Sequence, residues 1–285
     1  MEENTISTPS RRSFPTVGDL FALLGIVLGV QAVVGLVLSL VGGFAGFDPK
    51  EATPELQGRY MCLLYLTTMS LGLIGAVLYR RKRGGTGKVI SFSTVRLNPV
   101  LLLWACLFLV AVGVVIEPLL ALLPEFPSMQ PDMGRGIWTV VMLLVFAPVF
   151  EELLCRGVVL GSLRTKYGVW VAWLGSSLFF GVLHLAPQLV VNACIIGLIL
   201  GYICLATDSI WAPMILHAVN NAIAYATLLL GGGDFLLRGW IANDVIYGMI
   251  YAAALAVAFV SAYKMWQTLG RLNAAETGTE IVPRN

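Results

Sequence analysis

Three ionisable residues stand together in an apolar run, Val149-Phe150-Glu151-Glu152-Leu153-Leu154-Cys155-Arg156. A charge at the centre of a membrane costs about 2.5–3.5 kcal/mol on insertion scales, so Glu151, Glu152 and Arg156 each need a reason to be there. On a helix Glu152 and Arg156 are one turn apart with the acid N-terminal to the base, the favoured order for an ion pair. Glu151 points about 100° away from Glu152. The pair can hold itself while Glu151 faces something else.

Both histidines of the chain also fall in apolar runs. His184 follows Phe180 by one helical turn, and His217 precedes Asn221 by one turn, with Asn220 on its flank. A carboxylate, an imidazole, and a second imidazole beside a carboxamide are the parts of a hydrolase that activates water. Glu151 is the candidate general base, and His184 would orient the water or share its proton. His217 and Asn221 are the candidate donors to the oxyanion of a tetrahedral intermediate. The Glu152–Arg156 pair would keep a second negative charge away from the water.

These side chains need elements that suit lipid. The chain has 285 residues, 58% of them hydrophobic and 12% charged, with a mean hydropathy of +0.85. Soluble domains carry about 25% charged residues, so a water-soluble fold is excluded and an all-α polytopic membrane protein is expected. The net charge of +2 argues no affinity for nucleic acid, because the basic residues are sorted along the chain instead of gathered on one face. Five cysteines, all in apolar runs, argue against disulfides. The first apolar run is longer than the hydrophobic region of a cleaved signal peptide and is expected to remain as a span.

A hydrocarbon core of about 30 Å needs about 20 apolar residues of helix. Eight stretches meet that need, at 20–43, 60–79, 99–122, 137–160, 169–186, 189–206, 210–231 and 243–266. Polar tails at 1–18 and 268–285 flank a membrane domain over 19–267. With the N-terminus in the cytoplasm, thirteen of the eighteen Lys and Arg residues fall on the cytoplasmic side, among them Arg80, Arg81, Lys82, Arg83, Arg164 and Lys166. Both termini are therefore expected in the cytoplasm. No internal repeat of the kind that builds transporters is visible.

The ordered set Glu151-Glu152…Arg156, Phe180…His184 and His217…Asn221 resembles the CPBP (Abi) family of intramembrane proteases, which includes the type II CaaX prenyl protease or Ras-converting enzyme. The resemblance covers about residues 137–231. It implies a glutamate-dependent endopeptidase in which Glu151 and His184 activate water and His217 and Asn221 form the oxyanion hole. Glu152, Arg156 and Phe180 are then supporting residues. It also implies a membrane-associated, hydrophobic or lipidated peptide or protein as partner, no cofactor, and a multi-pass protein of a cell membrane, by its style a bacterial plasma membrane. The chain's own C-terminus carries no prenylation box.

Competing readings are concrete. Zinc held by Glu151, His184 and His217 is the alternative to a metal-free site, although no H-E-x-x-H is present. Cys155, between Glu152 and Arg156, raises thiol catalysis, but buried thiols are usually inert packing. Phe180 reads as a packing wall, and Asn220, Asn192 and Gln31 as helix-to-helix polar contacts. A non-catalytic scaffold, a peptide-immunity protein or a small-solute transporter would use the same polar cluster structurally. For a lone ion cluster a pair would suffice, and a third charge only adds cost.

The heights of the residues disagree. If the fourth span ends at residue 160, Glu151 and His217 lie about 13 Å from the cytoplasmic end, while His184 lies sixteen residues from Gly168. Bringing them together requires the fifth span to begin nearer Trp173, with 161–171 partly interfacial. The expected site is then in the cytoplasmic half of the membrane, reached from inside the cell.

Overall fold

A computed structural model describes residues 14–44, 48, 51–85, 89–124, 134–230 and 236–277. The helices are α1 (Val17–Phe44), α2 (Pro54–Lys82), α3 (Pro99–Val115), α4 (Glu117–Leu120), α5 (Ile137–Val141), α6 (Ala147–Glu152), α7 (Gly161–Val182), α8 (Pro187–Thr207), α9 (Trp211–Leu230), α10 (Leu237–Trp240) and α11 (Asp244–Thr277). Two π-helical segments, Met142–Phe146 and Leu153–Leu160, join α5 to α6 and α6 to α7. Among the described residues the one β feature is an isolated bridge between Phe92 and Ser209. The all-α, multi-pass architecture expected from composition holds.

Local chemistry sets the helix starts. Thr53 caps α2 through Leu56 N and Asn98 caps α3 through Val100 N and Leu101 N, each followed by proline in the first turn. Asp208, in the left-handed region at φ 48°, ends α8. Long apolar side chains face outward, for example Val33, Leu36 and Leu40 on α1, as lipid permits and water would not.

Six described helices are long and apolar enough to cross a membrane, where the sequence suggested eight spans. Two differences account for this. The third stretch is a 17-residue helix, α3, that ends at Val115 and resumes as the short α4. The fourth and fifth stretches form one helical run of 46 residues from Ile137 to Val182, broken at Gly168, whose φ of 84° and ψ of −178° lie outside the helical region. The chain reverses there, since a Cβ on Gly175 would lie 3.0 Å from Leu163 Cδ1. On an unbroken helix residues twelve apart are about 18 Å apart.

This reversal corrects the expected heights. The fourth span does not end at 160; its helix continues to Tyr167, and the fifth begins at Val169, not near Trp173. Glu151 is then seventeen residues before the turn and His184 sixteen after it, so an antiparallel hairpin sets them at the same level. The expected C-terminal tail also differs, because α11 stays helical to Thr277, while residues 278–285 lie outside the described residues. At the other end Phe14 is buried and Lys166 Nζ donates to the Pro15 carbonyl at 2.7 Å, so 14–18 packs on the helices.

Cross-links gather the basic residues at one end of the molecule. Arg80 donates to Ser162 Oγ at 3.1 Å, Arg83 pairs with Asp19 at 2.8 Å, and Arg164 pairs with Asp208 at 3.1 Å. Arg96 bonds Asn273 near the end of α11. The opposite end holds Glu55 with Arg59, and Arg135, whose N–H donates to the Pro54 carbonyl. Glu117 is there too, accepting from the N–H groups of Leu237 and Arg238 at the start of α10. Glu117 thus ties α4 to α10. Two buried cores lie between the ends, one joining α1, α2 and α7, the other joining α3, α8, α9 and α11.

Candidate active site

The first π-helical segment follows from Pro148. Proline has no N–H and its ring crowds the carbonyl four residues back, and the preceding turn widens so that Ala147 N donates to Met142 O, five residues back. In that register the Leu143 carbonyl would need the N–H of residue 148, which proline lacks. Asn221 Nδ2 fills the need, donating to Leu143 O at 2.9 Å. Pro148 within the apolar run was the sequence signal for this contact.

Glu151 and Glu152 diverge as the helical geometry requires. Glu152 is fully buried, and its Oε1 accepts from Arg156 Nη1 at 3.1 Å and from His217 Nδ1 at 2.9 Å. Arg156 Nη2 donates to the Gly197 carbonyl at 2.9 Å, and its guanidinium lies over the Phe180 ring, 4.8 Å from the centroid. Burial of this ion pair is tolerated because several partners share its charge. Glu152 is therefore more than a counter-charge for Arg156, since it also orients His217.

With Nδ1 donating to Glu152, His217 turns Nε2 toward Glu151, 3.7 Å from Oε2, too long for a direct hydrogen bond. The other Glu151 oxygen accepts from Tyr65 OH at 2.6 Å. Tyr65, on α2, carries no motif and sits 86 residues from Glu151 in the chain, so sequence spacing offered nothing to find it by. The imidazole set beside Glu151 is thus His217, not His184.

His184 lies past the end of α7, where Nδ1 meets the Phe180 carbonyl at 3.0 Å, one turn back. That carbonyl can only accept, so Nδ1 carries the proton and Nε2 is the free acceptor. Phe180 stands between the histidines, its centroid 5.1 Å from His184 and 5.5 Å from His217, edge-on to both.

Glu151, His184, His217 and Asn221 all line one cavity of about 460 Å³ with Tyr65 and Phe180. Gln31, Asn192 and Asn220 line it too, where helix-to-helix contacts were expected. Cys155 is fully buried and absent from the lining. Among the described residues no three His, Cys, Asp or Glu side chains are grouped to hold a metal.

Fold and site together define a polytopic membrane protein with a carboxylate, two imidazoles and a carboxamide facing a cavity among its helices. Residues 133–223, about a third of the chain, match the family model for Rce1-like proteins, described as type II CAAX prenyl endopeptidase Rce1-like. A stretch of 82 residues is 26% identical to the candidate membrane peptidase YdiL of Bacillus subtilis (strain 168), covering 29% of this chain and 34% of that protein. The chain thus aligns with about a third of that relative's length. No solved structure matches at a significant level. The matched segment contains every motif residue, from Glu151 to Asn221.

Proposed function

We propose that the protein is an intramembrane endopeptidase that hydrolyses peptide bonds of membrane-associated, hydrophobic or lipidated peptides with water activated by Glu151. The observation that carries this reading is the placement of Glu151 Oε2 and His217 Nε2, 3.7 Å apart at the cavity wall, with every other polar atom of that pair engaged. A water between them can lose a proton to Glu151 as its oxygen attacks the scissile carbonyl. The oxyanion is then met by the second N–H of Asn221 and, in its protonated form, by His217 Nε2–H, whose ring Glu152 steadies. His184, with its bare Nε2, can accept a hydrogen bond from the same water. Collapse of the intermediate returns the proton from Glu151 to the leaving amine.

No metal takes part in this scheme, and both termini lie in the cytoplasm by the basic-residue sorting. The test is Glu151→Gln assayed in membranes against a hydrophobic peptide carrying a fluorophore and quencher. Cleavage is expected to fall by about 10²–10⁴-fold, with unchanged yield of folded protein. Undiminished cleavage would overturn the reading. In parallel, a tight chelator is expected to leave the rate unchanged; loss that zinc restores would overturn the metal-free scheme.

A further inference from the structure

The cavity extends in one direction only. On α5–α6 its lining runs from Glu151 back through Ala147 and Leu143 to Met142, and on α9 from His217 forward through Asn221 and Ala224 to Leu228. On α2 it includes Met61 and Leu64 beside Tyr65. These directions agree, because each leads away from the end that holds Arg80, Arg83, Arg164 and Arg96 and toward the end that holds Glu55 and Arg135. At that end Ala224 is exposed and Met61 and Leu228 are half-buried, beside buried Met142 and Tyr225, whereas His217 at the inner end is 3% exposed. On the basic side a separate pocket of about 490 Å³ reaches in as far as Arg156, but buried Leu154, Cys155, Val158 and Val159 stand between that end and Glu151.

The depth agrees with that direction. Glu151 is about 25 Å of helix from the turn at Gly168 but about 21 Å from the start of α5, and Tyr65 is about 25 Å from the end of α2 but about 16 Å from its start. Charge sorting separates the two ends. The basic end carries Arg80, Arg81, Lys82, Arg83, Arg96, Arg164, Lys166, Lys264 and Arg271, while Arg59 and Arg238 at the other end are paired with Glu55 and Asp244. Retention of the basic end in the cytoplasm turns the open end outward.

We infer that the site receives its substrate from the non-cytoplasmic face, as an extended apolar peptide segment. This rests on the endopeptidase reading for what happens at Glu151, but not for the direction of entry. The lining past Glu151 is chiefly apolar, with Met142, Leu189 and Leu228, and it is punctuated by Gln31, Asn192 and Asn220. Among the described residues the Asn192 side chain makes no hydrogen bond, and the Gln31 side chain reaches only Met69 Sδ at 3.6 Å. Carboxamides both donate and accept, which is what an extended backbone needs where lipid offers it no partner. A peptide that arrives from the cytoplasm would meet the closed core instead.

The experiment measures sidedness without requiring turnover. The full chain is expressed in a bacterial inner membrane, spheroplasts are prepared, and a membrane-impermeant maleimide is added before or after permeabilisation. Ala224→Cys marks the open end, Leu228→Cys serves as a second open-end position, and Arg81→Cys marks the basic end; the native protein is the blank. Labelling of Ala224→Cys and Leu228→Cys in intact spheroplasts at five-fold or more above the blank is expected, with Arg81→Cys labelled only after permeabilisation. The inverse pattern, or open-end cysteines that react in neither condition while Arg81→Cys reacts, overturns the inference. A loss of labelling sidedness with Glu151→Gln still inactive would leave the endopeptidase reading standing, so the two fail separately.

Discussion

At the floor of the cavity one carboxylate oxygen, Glu152 Oε1, receives both Arg156 and His217, whereas toward the mouth the Asn192 side chain makes no hydrogen bond among the described residues. Both regions hold polar groups among apolar helices. The difference is who supplies the partners. At the floor the protein supplies most of them, Glu152 Oε2 and Arg156 Nε excepted, so the side chains stay in one arrangement and His217 presents a fixed nitrogen to Glu151. On the proposed reading the partner at the mouth is left for a substrate peptide to bring, and adaptable carboxamides would suit peptides of more than one sequence. The chemistry is rigid and the recognition is loose.

Substitutions at the floor should therefore act through kcat or through folding, and substitutions at the mouth through KM. The largest effect belongs to Glu151→Gln, with the loss of 10²–10⁴-fold in kcat given above. Next is Arg156→Met. It leaves Glu152 charged and buried without its cation, and a thermal unfolding series in detergent should show destabilisation of about 3–5 kcal/mol. If Arg156→Met melts with the native protein, the floor is not the locked network described here.

Tyr65→Phe removes the 2.6 Å bond to Glu151 while keeping the ring. A hydrogen bond to a charged group contributes about 1.5–3 kcal/mol, so kcat should fall by about tenfold or more with little change in KM; a rise in KM alone would move Tyr65 from the chemistry to substrate binding. The smallest effect is expected for Asn192→Leu, which should raise KM for a hydrophobic peptide several-fold and leave kcat near the native value. An unchanged KM there would erase the distinction between floor and mouth.

Much of this was legible in the chain before any coordinates. Hydropathy and charge placed the protein in a membrane, and Glu151, Glu152, Arg156, His184 and His217 stood out because ionisable groups in lipid are costly. Helical spacing correctly paired Glu152 with Arg156 and turned Glu151 away. Spacing was misleading where a helix outran its apolar run. Residues 161–171 were expected to lie partly at the interface, with the span ending at 160, yet helix continues to Tyr167, so heights counted from residue 160 were wrong. Tyr65, the Gly197 carbonyl and the Leu143 carbonyl had no local signature, because each enters through packing between helices far apart in sequence.

Sequence alone determined the solvent and the chemical parts, for a simple reason: the cost of burying charge depends on residue type and on the apolar length around it, both of which are one-dimensional. Tertiary structure alone decided which groups meet. The left-handed turn at Gly168 set Glu151 and His184 level, and the packing of α9 against the π-helical segment gave Asn221 its carbonyl and His217 its carboxylate. The packing also decided the direction of the cavity, since a void is bounded by several helices at once and no single stretch of chain encodes it.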